Sequence, residues 1–164
     1  MAENIFCMKK GTCLFVTAKD AQDNRKTFSC GANEDVEECL GRRDESDDDG
    51  SNDDSDNHTR NEFKEMDLPE GTYFVKVTGY VISLFGIDQN QNLWVWYFFE
   101  AEENELLDDS VKEDKIKKVT WFSDRGLKVL DVDCGLKGAV IKTEDSEGTI
   151  KYYAIFEKHD GDEV

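Results

Sequence analysis

Carboxylates are the residues of this chain with the greatest capacity for chemistry, and they come in runs. From Asp44 to Asp56 eight of thirteen residues are acidic, none is basic, and the rest are Ser, Gly and Asn. A calcium-binding loop needs alternating oxygen ligands, a glycine at its sixth position and a bidentate glutamate at its twelfth. A register can be forced here with Glu45, Asp47, Asp49, Gly50 and Asp56. It opens on Glu, closes on Asp and lacks flanking amphipathic helices, so the run reads as a solvated loop and no metal is assigned. Ser46 and Ser51 each precede an acid by three residues, Asp49 and Asp54, the spacing read by acidophilic kinases. Both are candidate phosphorylation sites, each phosphate adding about −1.5 to −2 charges. Asn57-His58-Thr59 matches a glycosylation sequon, but without a secretory signal that sequon has no mechanism.

Nucleophiles and metal ligands are sparse. Cys7, Cys13, Cys30, Cys39 and Cys134 include no C-x-x-C pair, and only His58 and His159 could join them, so zinc is not supported. Both histidines lie in acidic polar segments with no Ser, Cys or Asp arrangement that reads as a triad. The cysteines are expected to be reduced, small core fillers. No catalytic residue and no cofactor is assigned.

With 20 basic residues against 38 acidic, the formal net charge is −18. That balance repels phosphate backbones and anionic lipid and favours Lys/Arg-rich protein partners, so neither nucleic acid nor membrane is expected as a ligand. No apolar run has the length or basic flank of a signal peptide, or reaches the roughly 20 residues of a membrane span. A nuclear or cytoplasmic location is expected.

The elements that must position these residues are strands. Leu93 to Phe99 (Leu-Trp-Val-Trp-Tyr-Phe-Phe) holds five aromatics with no Gly or Pro, which predicts a core strand covered on both faces. Weaker strands are predicted at Ile5 to Cys7, Thr12 to Thr17, Thr27 to Gly31, Tyr73 to Val77, Tyr80 to Ile87, Leu127 to Val132, Ala139 to Ile141 and Ile150 to Phe156. Polar tips at Asp20 to Asn24, Asp88 to Asn92 and Glu144 to Gly148 join pairs of them. Residues 42–67 are expected to be a disordered acidic insert ended by the Leu68-Pro69-Glu70-Gly71 turn. Asp108 with Lys112, and Glu113 with Lys117, stand at helical spacing, so a short helix between Glu100 and Asp114 is open.

Thr27-Phe28-Ser29-Cys30-Gly31, Leu93-Trp94-Val95-Trp96-Tyr97 and Ile150-Lys151-Tyr152-Tyr153-Ala154 each follow a polar tip, at spacings of 66 and 57 residues. Leu40 and Leu106 each stand nine residues past the last residue of the aligned segment before them, Gly31 and Tyr97. A period of this size is that of a propeller blade rather than a helical repeat. With Cys134-Gly135, Phe28-Ser29-Cys30-Gly31, Asn33, Leu40-Gly41 and Trp94-Val95-Trp96, the pattern resembles the repeat of the regulator of chromosome condensation family. The family's Trp-Gly step is replaced by Cys30-Gly31, Trp96-Tyr97 and Tyr153-Ala154. The expected fold is all-β, with antiparallel sheets in about three propeller-blade-like repeats. A single domain over residues 1–164, or the N-terminal part of a larger one, would contain them. Three blades do not close a ring, so a compact β-barrel or sandwich stays open as the alternative.

The resemblance implies either a rigid platform for protein interaction or nucleotide exchange on a small GTPase. The expected function is a non-enzymatic protein-interaction module whose acidic face binds a basic protein or Lys/Arg-rich tail. Other propeller blades or a small GTPase are further possible partners. An acidic, histone-chaperone-like binding protein and a guanine nucleotide exchange factor are the alternatives. Each closing strand is followed by acids, and these are the candidate partner-binding residues: Glu34, Asp35, Glu37 and Glu38, then Glu100, Glu102, Glu103, Glu105, Asp108 and Asp109.

Overall fold

The computed structural model describes residues 2–8, 13–32, 59–80, 83–98, 116–135 and 138–156. They form eleven strands and one helical turn: β1 (Ala2–Cys7), β2 (Leu14–Lys19), β3 (Arg25–Ala32), β4 (Thr59–Glu65), β5 (Phe74–Tyr80), β6 (Ser83–Asp88), β7 (Leu93–Phe98), β8 (Lys117–Val119), α1 (Thr120–Ser123), β9 (Lys128–Gly135), β10 (Gly138–Glu144) and β11 (Ile150–Phe156). Three separate antiparallel sheets result, in the orders β1-β2-β3-β4, β5-β6-β7-β8 and β11-β10-β9. The barrel alternative is thereby set aside.

The repeat is carried by one turn built three times. Asp20 Oδ1 accepts the backbone N–H groups of Gln22 and Asn24, both at 2.9 Å. Asp88 Oδ1 accepts those of Asn90 and Asn92 at 2.8 and 2.9 Å. Asp145 Oδ1 accepts those of Glu147 and Thr149 at 3.0 and 2.9 Å. The residue three places after each aspartate has positive φ: Asp23 at 66°, Gln91 at 62° and Gly148 at 80°. This is the three-residue hairpin loop in which a left-handed residue lets the second strand start in register.

The turns correct the alignment read from the sequence. The first residues after them, Arg25, Leu93 and Ile150, are equivalent, so the first unit sits two residues earlier than an alignment starting at Thr27. Strand pairing confirms it, with Val16 opposite Phe28, Leu84 opposite Trp96 and Ile141 opposite Tyr153. A shift of two preserves which face each side chain takes.

The second sheet lies between the other two. On one face Phe74, Leu84, Trp94 and Trp96 pack with Phe15 of β2 and with Met8 and Cys13, which flank β1 and β2. On the other, Phe85, Ile87, Leu93 and Val95 pack with Val129, Val132, Ile141 and Ile155 of the third. This accounts for the aromatic run: alternate residues of β7 serve different junctions, and both must be apolar. Phe74 stacks on Trp96 with centroids 5.4 Å apart, and Phe15 meets the same indole edge-on at 5.7 Å. Polar ties fix the spacing. Thr17 Oγ1 donates to Phe74 O at 2.6 Å, Phe74 N donates to Thr27 Oγ1 at 2.8 Å, and Val129 N donates to Gln91 O at 2.9 Å across the second junction.

Three local expectations change. Thr59–Glu65, placed in the insert, is strand β4, paired with β3 from Ala32 opposite Thr59 to Phe28 opposite Glu65. Its side chains from Glu62 to Glu65 are exposed, so backbone pairing rather than burial makes the strand, and composition gives no sign of it. Tyr80 ends β5 instead of opening β6, and the short helix left open between Glu100 and Asp114 lies outside the described residues. Cys13 and Cys134 are buried as expected, whereas Cys7 is exposed and Cys30 half-buried. Cys39 lies outside the described residues.

Candidate interaction surface

Propeller-type sheets expose two working edges, the hairpin tips and the opposite ends of the strands. The cations near the first and third tips are paired with acids. Lys19 pairs with Asp23 at 2.6 Å, Arg25 with Glu3 at 2.6 Å, Lys26 with Glu65 at 2.7 Å and Lys151 with Asp145 at 3.0 Å. The guanidinium of Arg25, hydrogen-bonded to Glu3, holds that carboxyl below the usual carboxylate range. Thr149 N–H and the Lys151 ammonium do the same for Asp145. A cleft of about 560 Å³ lies between the first tip and the Met66 to Thr72 connection. Its two cations, Arg25 and Lys26, are committed to Glu3 and Glu65, so it offers no uncompensated charge to an anion.

The opposite edge differs. β3, β7 and β11 are equivalent third strands, and they end at Ala32, Phe98 and Phe156. Residues 33–58 run from β3 to its antiparallel neighbour β4, and residues 99–116 run from β7 to β8. Residues 157–164 follow β11. Each of these three segments therefore leaves its sheet from the same point of the repeat, the end away from the tips.

Charge is divided along the same line. Residues 33–58, 99–116 and 157–164 contain 24 acids and 5 bases, a net −19, while the remaining residues hold 14 acids and 15 bases. The candidate partner-binding residues Glu34, Asp35, Glu37, Glu38, Glu100, Glu102, Glu103, Glu105, Asp108 and Asp109 all fall in the first two segments. So do Ser46, Ser51 and His58, and His159 falls in the third. All lie outside the described residues, and the strand ends that carry them are what the structure places. Among the described residues no group of three or more His, Cys, Asp or Glu could hold a metal. No helix among them is long and apolar enough to cross a membrane.

Reading by charge alone misses a second surface. The outward faces of the first and third sheets carry Ile5, Leu14, Val140, Ile150 and Tyr152 exposed, and Phe63 is exposed on β4. The period-two alternation of β2 and β10 contained that signal, since apolar residues occupy both of their faces.

Neither a family model nor a curated protein matches the sequence. Solved structures do match. The crystal structure of human WBSCR16 superimposes with a TM-score of 0.58 at 16% identity, covering 98% of this chain and 35% of that one. Yeast RCC1 (Prp20), solved bound to Kap60, gives 0.54 at 20% identity, with coverages of 88% and 30%. Prp20p from Saccharomyces cerevisiae, whose structure was reported with its binding properties to Gsp1p and histones, gives 0.51 at 18%, with coverages of 88% and 31%. The chain spans about a third of the length of these proteins. Its fold is part of an RCC1-like β-propeller, three blades of it, as the resemblance in the sequence implied.

Proposed function

We propose that this chain is a non-enzymatic protein-interaction module in which the three blades hold acidic segments along one edge for a basic protein or a Lys/Arg-rich tail. The observation that carries this reading is the coincidence of topology and charge. Three segments with a net −19 leave equivalent strand ends, while the rest of the chain is nearly neutral. Rotationally related blades direct equivalent segments the same way, so their fields add. Glu34, Asp35, Glu37 and Glu38, with Glu100, Glu102, Glu103, Glu105, Asp108 and Asp109, supply the contacts, and phosphates on Ser46 and Ser51 strengthen them. The likeness to Prp20p, reported with binding to histones, which are basic proteins, supports this partner class. It also fits a nuclear or cytoplasmic place of action.

The histone-chaperone-like variant of this reading differs in placing the affinity in residues 44–56. Nucleotide exchange, the reading favoured by the report of Gsp1p binding to the same neighbour, predicts accelerated nucleotide release from a small GTPase.

The test is the affinity of the full chain for an unmodified histone-tail peptide at low and high salt. Binding should weaken steeply with salt and be reduced by reversing Glu102, Glu103 and Glu105 to Lys with folding intact. Deleting residues 44–56 abolishes binding only in the chaperone-like case. Salt-insensitive binding unaffected by the reversal would show that the acidity serves solubility.

A further inference from the structure

Among the described residues, exposed apolar side chains are concentrated on the outward faces of the first and third sheets. Of the seven large hydrophobic residues exposed among the described ones, Ile5, Leu14, Val140, Ile150 and Tyr152 point outward from the first and third sheets, and Phe63 is in step with Glu65 on the first sheet's edge strand. Ile5 and Tyr152 are each 67% exposed. On the first sheet Ile5, Val16 and Phe28 stand opposite one another across β1, β2 and β3, and Leu14 is opposite Cys7 and Cys30. On the third, Val140 is opposite Ala154, and Ile150 and Tyr152 continue the patch.

These two faces are the unmatched halves of a junction the chain already makes twice. Val16 and Phe28 hold the positions that Leu84 and Trp96 hold in the second sheet, on the face turned toward the preceding blade. Tyr152 and Ile150 hold the positions of Val95 and Leu93, on the face turned toward the following blade. The internal junctions join a following-type face to a preceding-type face, and never two of a kind. One copy thus presents one unsatisfied face of each type, at opposite ends.

We propose that two copies of this chain close head to tail, the outward face of the third sheet of each seating on the outward face of the first sheet of the other. Such a heterologous contact closes into a ring when the rotation is completed, and six blades lie within the four to eight that propellers use. A contact of first sheet to first sheet is isologous and would leave both third sheets open. The rotation also keeps every third-strand end on one side of the ring. The inference stands independently of the proposed function, because all of its contacts lie on the β body and none on the acidic segments.

Sedimentation equilibrium of the full chain tests it. The mass should be that of two chains, and self-association should strengthen with salt, since two chains of net −18 repel one another. Binding of a basic partner has the opposite salt dependence, so failure of one reading is distinguishable from failure of the other. Leu14→Lys and Tyr152→Lys are made on exposed positions, and each lowers the net negative charge, so added repulsion cannot explain a loss of association. Each variant alone should be monomeric, with the circular dichroism spectrum of the wild type and a cooperative melt that no longer depends on protein concentration. An equimolar mixture of the two should recover a two-chain species, weaker than the wild type, through its one intact junction. A wild-type monomer over the whole concentration range overturns the proposal. So does a dimer indifferent to Tyr152→Lys, which marks an isologous first-sheet contact, or a mass that keeps growing with concentration, which marks an open chain.

Discussion

The indole N–H of Trp94 donates to Oδ2 of Asp88 at 2.9 Å, tying the largest side chain of the second hairpin to the aspartate that shapes its turn. Asp88 is 2% exposed, whereas its counterparts Asp20 and Asp145 meet solvent. Its two oxygens take the backbone N–H groups of Asn90 and Asn92, the Asn92 amide and the indole. A carboxylate so fully engaged sits below a hydrophobic junction because every lone pair has a donor. Asp88→Ala leaves the buried indole N–H of Trp94 without an acceptor, at about 1–3 kcal/mol, and takes from the part-buried Asn90 and Asn92 groups the acceptor that shapes the turn. The expected loss is about 3 kcal/mol by urea denaturation, with Asp88→Asn costing less. A loss below ~1 kcal/mol would show that water replaces the carboxylate.

Gln91 shares its hairpin position with Asp23 and Gly148, and it pays for φ of 62° with a side chain that the left-handed region disfavours. Its backbone oxygen receives Val129 N–H at 2.9 Å, so the conformation is held by the junction to the third sheet. Gln91→Gly removes the Cβ strain and keeps the carbonyl. An increase of about 0.5–1 kcal/mol is expected from thermal unfolding, the strain relieved exceeding the added chain entropy. No increase would mean that the side chain makes compensating contacts.

How far the sequence led depends on where burial leaves a trace. Leu93 to Phe98 was legible as a strand covered on both faces because alternate residues serve two junctions, and every one of Leu93, Trp94, Val95 and Trp96 is buried. The polar tips were legible through Asp20, Asp88 and Asp145, although the register of the first unit was not. Lys26 stands where Trp94 does, so the apolar cue is displaced to Phe28. Strand β4 was hidden because Glu62, Phe63, Lys64 and Glu65 are exposed, so backbone pairing rather than burial holds it. The outward apolar faces were missed because Leu14, Val140 and Tyr152 are indistinguishable by type from core residues until their exposure is seen. The candidate acids were readable as clusters, and the fold adds their common origin at third-strand ends.

Gly86 is required by packing. A Cβ there would come within 2.8 Å of the Phe74 ring, which is sandwiched between the β6 backbone and Trp96. Gly86→Ala therefore pushes the ring off its indole, at a cost of about 1–3 kcal/mol, the usual range for overpacking. Trp96→Ala removes the other side of the stack and, with Trp96 only 1% exposed, should cost about 3–5 kcal/mol. In the double variant the two losses should be less than additive, since both act on one ring. Strict additivity by denaturant unfolding would contradict the stack as the shared element.

The third turn supplies a prediction in pH. The N–H of Thr149, the Lys151 ammonium at 3.0 Å and the N–H of Glu147 all favour the ionised form of Asp145, which holds its pKa below the ordinary aspartate value. A depressed folded-state pKa contributes stability that is present above the unfolded value, about 3.9, and is lost as pH falls through the folded one. The same pair raises the pKa of Lys151, hydrogen-bonded to Asp145, so its contribution is present below about 10.4 and lost as pH rises through the folded value. The wild-type advantage in melting temperature over Asp145→Asn should hold between those limits and narrow on either side. Salt should narrow it too, because the pair is solvent-exposed and screened. Carboxyl chemical shifts across an acid titration locate the midpoint directly. A midpoint at or above the ordinary aspartate value, with a melting difference independent of pH, would show that the aspartate shapes this turn only through hydrogen bonds an asparagine can also accept.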